Sequence, residues 1–216
     1  MKKHVRWGMI MIGAGVLGIA GCSESVDIED AITSKDEIED QKDAVISNIN
    51  DILALEAGMQ EEFEEDLAEN EAELFANQEA QVLSSLEERQ ALLSDIDDAN
   101  VTLQVENEMI GNVVQDGDDE ALPVEELEDL HAEIAYLHNA LSDYIAQYES
   151  ELDTQATFFN RLGEDDDFEF LTEGIEEIND SQEDIHAQLD NVQDALLSAE
   201  TAIENVPDEE GDVKDA

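Results

Sequence analysis

The chain has 216 residues, of which 60 are Asp or Glu and eight are Lys or Arg, giving a formal net charge of −52 with a single cysteine and a single tryptophan. Repulsion on that scale argues against nucleic acid and bare anionic lipid as direct partners. One cysteine excludes an internal disulfide framework.

The first 21 residues differ in composition from all that follow. Lys2, Lys3 and Arg6 form a basic start, and residues 7–20 (WGMIMIGAGVLGIA) carry no charge. This is the layout of a secretory signal peptide, and the apolar run is too short and glycine-rich for a comfortable membrane span. The chain is therefore expected to be exported. Ile19-Ala20-Gly21-Cys22 resembles the lipobox of bacterial lipoproteins. That resemblance implies cleavage between Gly21 and Cys22, a diacylglyceryl group on the Cys22 sulfur, and Cys22 as the first mature residue. Two acyl chains suit the task, because burial contributes roughly 0.8 kcal/mol per methylene and one chain anchors only reversibly. From Cys22 onward all 60 acidic residues face five basic ones (Lys35, Lys42, Arg89, Arg161 and Lys214), a formal charge of −55. With no polybasic segment to assist, the anchor must rely on lipid alone.

High net charge can signal disorder, but the apolar pattern argues for helix. Ile28, Ala31, Ile38, Val45, Ile49, Ile52, Met59, Phe63 and Leu67 keep a heptad-like period, interrupted by Lys35, Lys42 and Glu56. Phe75, Val82, Leu86, Leu93, Ile96, Leu103, Ile110 and Val114 continue it. A cleaner seam runs from Leu127 to Leu162 with Gln155 as its polar step, and another from Leu171 to Val206 with Gln182. Gly58, the QDGDDEALP stretch at 115–123, Gly163 and Pro207 punctuate these runs. The expected helices are 27–57, 59–115, 123–162 and 167–206. No segment alternates with period two, so the prediction is all-α: an elongated up-and-down bundle with coiled-coil-like heptad packing. It has four helices, or three if Gly58 lies inside one long helix. The second helix would reach roughly 80 Å at 1.5 Å per residue. Residues 22–206 form the bundle domain, and the acidic tail 207–216 is expected to be disordered.

Residues that could carry chemistry are few. His131, His138 and His186 each follow a seam position, but none has the i, i+3 or i, i+4 spacing with which one helix holds a metal by two side chains, so no metal site is assigned. DIDDANVTLQVE at 95–106 superficially resembles a calcium loop, yet Ala99 and Asn100 replace the fifth ligand and the turn glycine. EDDDFE at 164–169 reads as a helix cap. Tyr136, Tyr144, Tyr148, Phe158 and Phe159 fall on or beside the seam and read as core. No nucleophile or phosphate loop is recognisable, so neither a catalytic site nor a cofactor is expected. Arg89 occupies the seam step between Leu86 and Leu93, where a cation needs carboxylate partners. It is the candidate for a structural, register-fixing ion pair.

The lipobox, the helical mature chain, the Leu86-x-x-Arg89-x-x-x-Leu93 step and FFNRLGEDDDFEFLTEGIEEIN at 158–179 together resemble the YkyA-like cell-wall-binding lipoproteins of Gram-positive bacteria. The resemblance implies a four-helix bundle on the outer face of the plasma membrane, with a structural or interaction role and no enzymatic activity. Its partners would be the membrane, through the diacylglyceryl anchor, and wall polymers or envelope proteins. This chain is more acidic than the family pattern, so contact with anionic wall polymers would need bridging divalent cations. The alternative is a solute- or metal-binding lipoprotein serving a transporter or sensor, against which stands the absence of sheets, lobes and an aromatic pocket.

Overall fold

The structure is a computed structural model that describes residues 28–116, 122–162 and 168–207. Four helices follow one another: α1 (Ile28–Ala76), α2 (Gln81–Asp116), α3 (Val124–Leu162) and α4 (Phe168–Asn205). The described residues contain no strand, and the helices form an up-and-down bundle. α1 packs along α2, α2 along α3 and α3 along α4, whereas α1 and α4 meet only sparsely. The bundle is thus partly open along its α1–α4 side.

The core is the predicted seam. Ile38, Val45, Ile52, Ile96, Leu103, Ile110, Leu130, Ile134, Leu137 and Leu141 are fully buried. Lys35 and Lys42, which interrupt the apolar pattern of α1, are themselves 3% exposed and occupy interior seam positions. Tyr144, Tyr148, Phe158 and Phe159 are core residues as expected, but Tyr136 is on the surface at 46% exposure. Near the α1–α2 turn, Phe63, Phe75, Phe158 and Phe159 form a cluster with ring centroids 5.3–6.3 Å apart.

Two expected boundaries are corrected. Gly58 lies inside α1, which runs 49 residues, or about 74 Å at 1.5 Å per residue. The bundle nevertheless keeps four helices, because the break comes at residues 77–80. The second helix is accordingly 36 residues, or about 54 Å, and not the longest. A glycine within a helix costs only about 1 kcal/mol, which the packing of α1 against α2 readily offsets. The actual stop has no glycine. Gln78 adopts φ 61°, the left-handed region. The Glu79 amide donates to the Leu74 carbonyl at 2.8 Å, and the Gln78 amide to Phe75 O at 3.2 Å, which is the Schellman pattern. The Gln78 side chain adds donors to Phe75 O at 3.3 Å and to Asn160 Oδ1, on α3, at 2.8 Å.

α2 begins without a local cap. Its first amides are instead met from α1: Gln81 N donates to Asp66 Oδ1 and Val82 N to Asp66 Oδ2, both at 3.0 Å. The carboxylate is buried and satisfies two otherwise orphaned amides while sitting at the positive end of the helix. α3 starts as the proline pattern predicts, with Pro123 O accepting from Leu127 N at 3.0 Å. The candidate cap at 164–169 and the tail from 208 onward fall wholly or mainly outside the described residues.

Asp66→Ala is expected to cost about 1–2 kcal/mol, the usual loss for removing a capping side chain. It should lower the melting temperature by about 2–8 °C for a chain of this size. Thermal unfolding followed by circular dichroism checks it; an unchanged midpoint would show that α2 does not depend on this cap.

Candidate functional site

Arg89 is completely buried, the largest side chain in the interior. It lies on the α2 face opposite both α1 and α3, so its guanidinium is reached from each. Nη2 donates to Gln155 Oε1 at 2.6 Å, and Nη1 donates to the Tyr148 hydroxyl at 3.4 Å. Nε donates to the Ser85 carbonyl at 3.4 Å, and Nη2 lies 3.7 Å from Met59 Sδ. The carboxylate nearest to it is Glu56 of α1, with Oε1 4.0 Å from Nη1, and Tyr148 Oη donates to that same oxygen at 2.8 Å. Gln155 completes the chain by donating Nε2 to Glu151 Oε1 at 2.6 Å. A single cation is thus held at one level by α1, α2 and α3.

Charge assists every link in this network, because a donor or acceptor in a low-dielectric interior is strengthened when its partner is ionised. The network is not closed, however. Glu151 Oε2 and Ser85 Oγ are buried without a hydrogen-bond partner among the described residues. Burial pushes the Glu151 carboxyl up from the ordinary carboxylate value, against the opposing pull of Ser181, Gln155 and Arg89. Burial likewise raises the Tyr148 and Tyr144 phenols, so both stay neutral donors, their rings stacked at 5.6 Å.

A second polar ladder joins α2 to α3. His131 Nδ1 sits 3.0 Å from Asn107 O and 2.9 Å from Asn107 Oδ1. One heptad away, His138 Nδ1 sits 3.0 Å from Asn100 Oδ1, while Asn100 Nδ2 donates to Ser142 Oγ at 3.1 Å. Both rings are thus held by asparagines of α2. Gly111 admits the first of these rings, since a Cβ there would stand 3.1 Å from His131 Cε1. No group of three His, Cys, Asp or Glu suited to a metal ion occurs among the described residues. Residues 95–106, considered above as a calcium loop, are continuous helix.

The open α1–α4 side carries two grooves of about 560 Å³ each. The first is lined by Ile49, Leu53, Val192 and Leu196, with Lys42 at its edge bound to Glu200 across the gap and to Asp43 at 3.4 Å. The second lies between Phe63 and Ile178 and reaches Glu56 and Gln182, beside the Arg89 centre. Lys42 therefore ties α1 to α4 where apolar packing does not.

Gly21 and Cys22, the predicted cleavage and lipidation positions, lie outside the described residues. Among those described, no helix is long and apolar enough to cross a membrane. Arg89 is buried as its seam position predicts, and Gln155, read as a polar seam step, is its partner. The sequence reading did not assign Tyr148 or Glu151 to this centre. Glu56 was visible only as an interruption of the α1 pattern, which was the available signal.

A family model described as YkyA, "Putative cell-wall binding lipoprotein", matches residues 27–208. No curated protein and no solved structure matches the chain.

Two substitutions test the buried centre. Arg89→Met should cost about 3 kcal/mol, because it leaves buried Glu151 and partly buried Glu56 without a cation; no loss in urea unfolding would contradict the role. Glu151 binds its proton more tightly in the folded chain than in the unfolded one. Its contribution is therefore full below the ordinary glutamate value and is lost as pH rises through the raised value. Glu151→Gln is expected to melt above the parent at neutral pH, with the gap closing as pH falls through the glutamate range. A variant melting lower at neutral pH would reverse that sign.

Proposed function

Because the chain belongs to the YkyA family of putative cell-wall binding lipoproteins, we propose that it is a lipid-anchored interaction protein that stands on the outer face of a Gram-positive plasma membrane and engages the cell wall. The anchor is the diacylglyceryl group on the Cys22 sulfur, and the signal peptide is cut between Gly21 and Cys22. α1 begins only six residues later, at Ile28, so the bundle starts almost at the lipid surface. Its 49-residue first helix carries binding surface about 74 Å outward.

The observation that carries the reading is the sorting of charge. Lys35, Lys42 and Arg89 are folded into the interior, while nearly all the carboxylates of the described helices remain in solvent. A rigid rod with such an outer face meets anionic wall polymers through shared divalent cations, since direct contact is repulsive. The reading is one of binding rather than catalysis: the buried polar groups around Arg89 link helices to one another.

Co-sedimentation of the protein with purified peptidoglycan, with and without magnesium or calcium, tests this. Retention that depends on the divalent cation and is reversed by a chelator is expected. Failure to sediment under either condition would overturn wall contact and direct attention to protein partners.

A further inference from the structure

Of the five basic residues that follow Cys22, Lys35 and Lys42 are 3% exposed, Arg89 is 0% exposed, and Lys214 lies outside the described residues. Arg161 is thus the one exposed lysine or arginine among the described residues. Its surroundings are unlike the rest of the surface. It stands in the last turn of α3 at the edge of a cleft of about 300 Å³ between α3 and α4. Its guanidinium carbon lies 4.0 Å from the centroid of the Phe170 ring.

Ser150, Thr154, Thr157 and Arg161 follow at steps of four, three and four, so one face of α3 presents three hydroxyls leading to the cation. Thr154 Oγ1 donates to the Ser150 carbonyl at 3.0 Å, which fixes that hydroxyl and leaves its lone pairs to accept. Exposed carboxylates line the cleft from both helices, Asp153 on α3 and Glu177 on α4. The floor is set by Gly174: a Cβ there would come within 2.2 Å of the Phe158 ring, so the α4 backbone rests directly on that side chain.

These features select a ligand by charge. A guanidinium that uses its face against a ring keeps its in-plane donors for a bidentate carboxylate. Asp153 and Glu177 suit an ammonium. A simple anion would meet the repulsion of the whole acidic chain, whereas a zwitterion carries no net charge and escapes it. The cleft is at the small end of ligand sites, which suits one or two amino-acid residues. We propose that the Arg161 cleft binds the end of a short zwitterionic peptide, its carboxylate on Arg161 and its ammonium toward Asp153 and Glu177. This rests on the wall-contact reading, since peptidoglycan presents short peptides bearing both groups, and it names the part of the wall that is gripped.

Arg161 also favours the α3 C-terminus electrostatically, so binding and stability must be read separately. The full-length protein in detergent is titrated with alanyl-alanine, N-acetyl-alanyl-alanine and alanyl-alanine amide, followed by ligand-observed NMR, with melting recorded for each variant. The free dipeptide should bind about tenfold or more tightly than either capped form, and Arg161→Gln should remove about that factor, the value of a charge-assisted pair. Glu177→Gln, an exposed change that leaves the core intact, should narrow the preference for the free over the acetylated dipeptide. Equal binding of all three peptides, or equal binding by Arg161→Gln, overturns the proposal. If the parent sediments with peptidoglycan and Arg161→Gln does so equally, the cleft assignment fails while wall contact stands. If the dipeptide binds at Arg161 but the parent does not sediment, wall contact fails and the cleft remains a peptide site.

Discussion

The constraint on which the bundle turns is a guanidinium with no access to water. Arg89 must find its partners within the protein, and it finds them on three helices: Glu56 and Met59 on α1, the Ser85 carbonyl on α2, and Tyr148 and Gln155 on α3. An unsatisfied buried charge costs several kcal/mol, so a slip of any one helix by a turn is penalised far more than a slip of aliphatic seams would be. The Asn107–His131 and Asn100–His138 rungs impose the same register on α2 and α3 farther along.

The extreme charge of the chain and this interior belong to one account. With 60 acidic residues in a chain of 216, the potential throughout the molecule is negative. Such a field lowers the cost of taking a cation inside and raises that of a carboxylate. Lys35, Lys42 and Arg89 follow the first rule, and Glu151, whose proton is held more tightly by burial, follows the second. Lys42 extends the pattern by bridging to Glu200 across the sparsely packed α1–α4 side. Among the described residues, the surface charge is carboxylate with Arg161 as the exposed lysine or arginine, and function is best sought at those two features.

Helical class, antiparallel order and most of the core were legible because the apolar period is sustained over many heptads, and Arg89 was legible because a cation replaces a leucine in such a seam. The α1–α2 boundary was not. Glycine at 58 looked like a stop, yet it sits in a helix whose neighbours hold it, while the stop at Gln78 uses a positive φ without glycine and is secured by a side-chain bond to Asn160. The cap of α2 comes from Asp66, 15 residues upstream, which no local pattern reveals. Nor could the partners of Arg89 be read in advance, since Gln155 is 66 positions away and reaches it only through helix packing. Tyr136 was assigned to the core from its place beside the seam, but one step around a helix is enough to turn a side chain to solvent.

The direct measure of the central claim is the coupling between Arg89 and Gln155. Urea unfolding of the parent, Arg89→Met, Gln155→Leu and the double variant forms a closed cycle. If the guanidinium centre holds α2 to α3, the coupling energy should be about 1 kcal/mol or more, in the range of residues sharing one polar network. Additive losses, with a coupling indistinguishable from zero, would mean that the two side chains share a space without holding the bundle together.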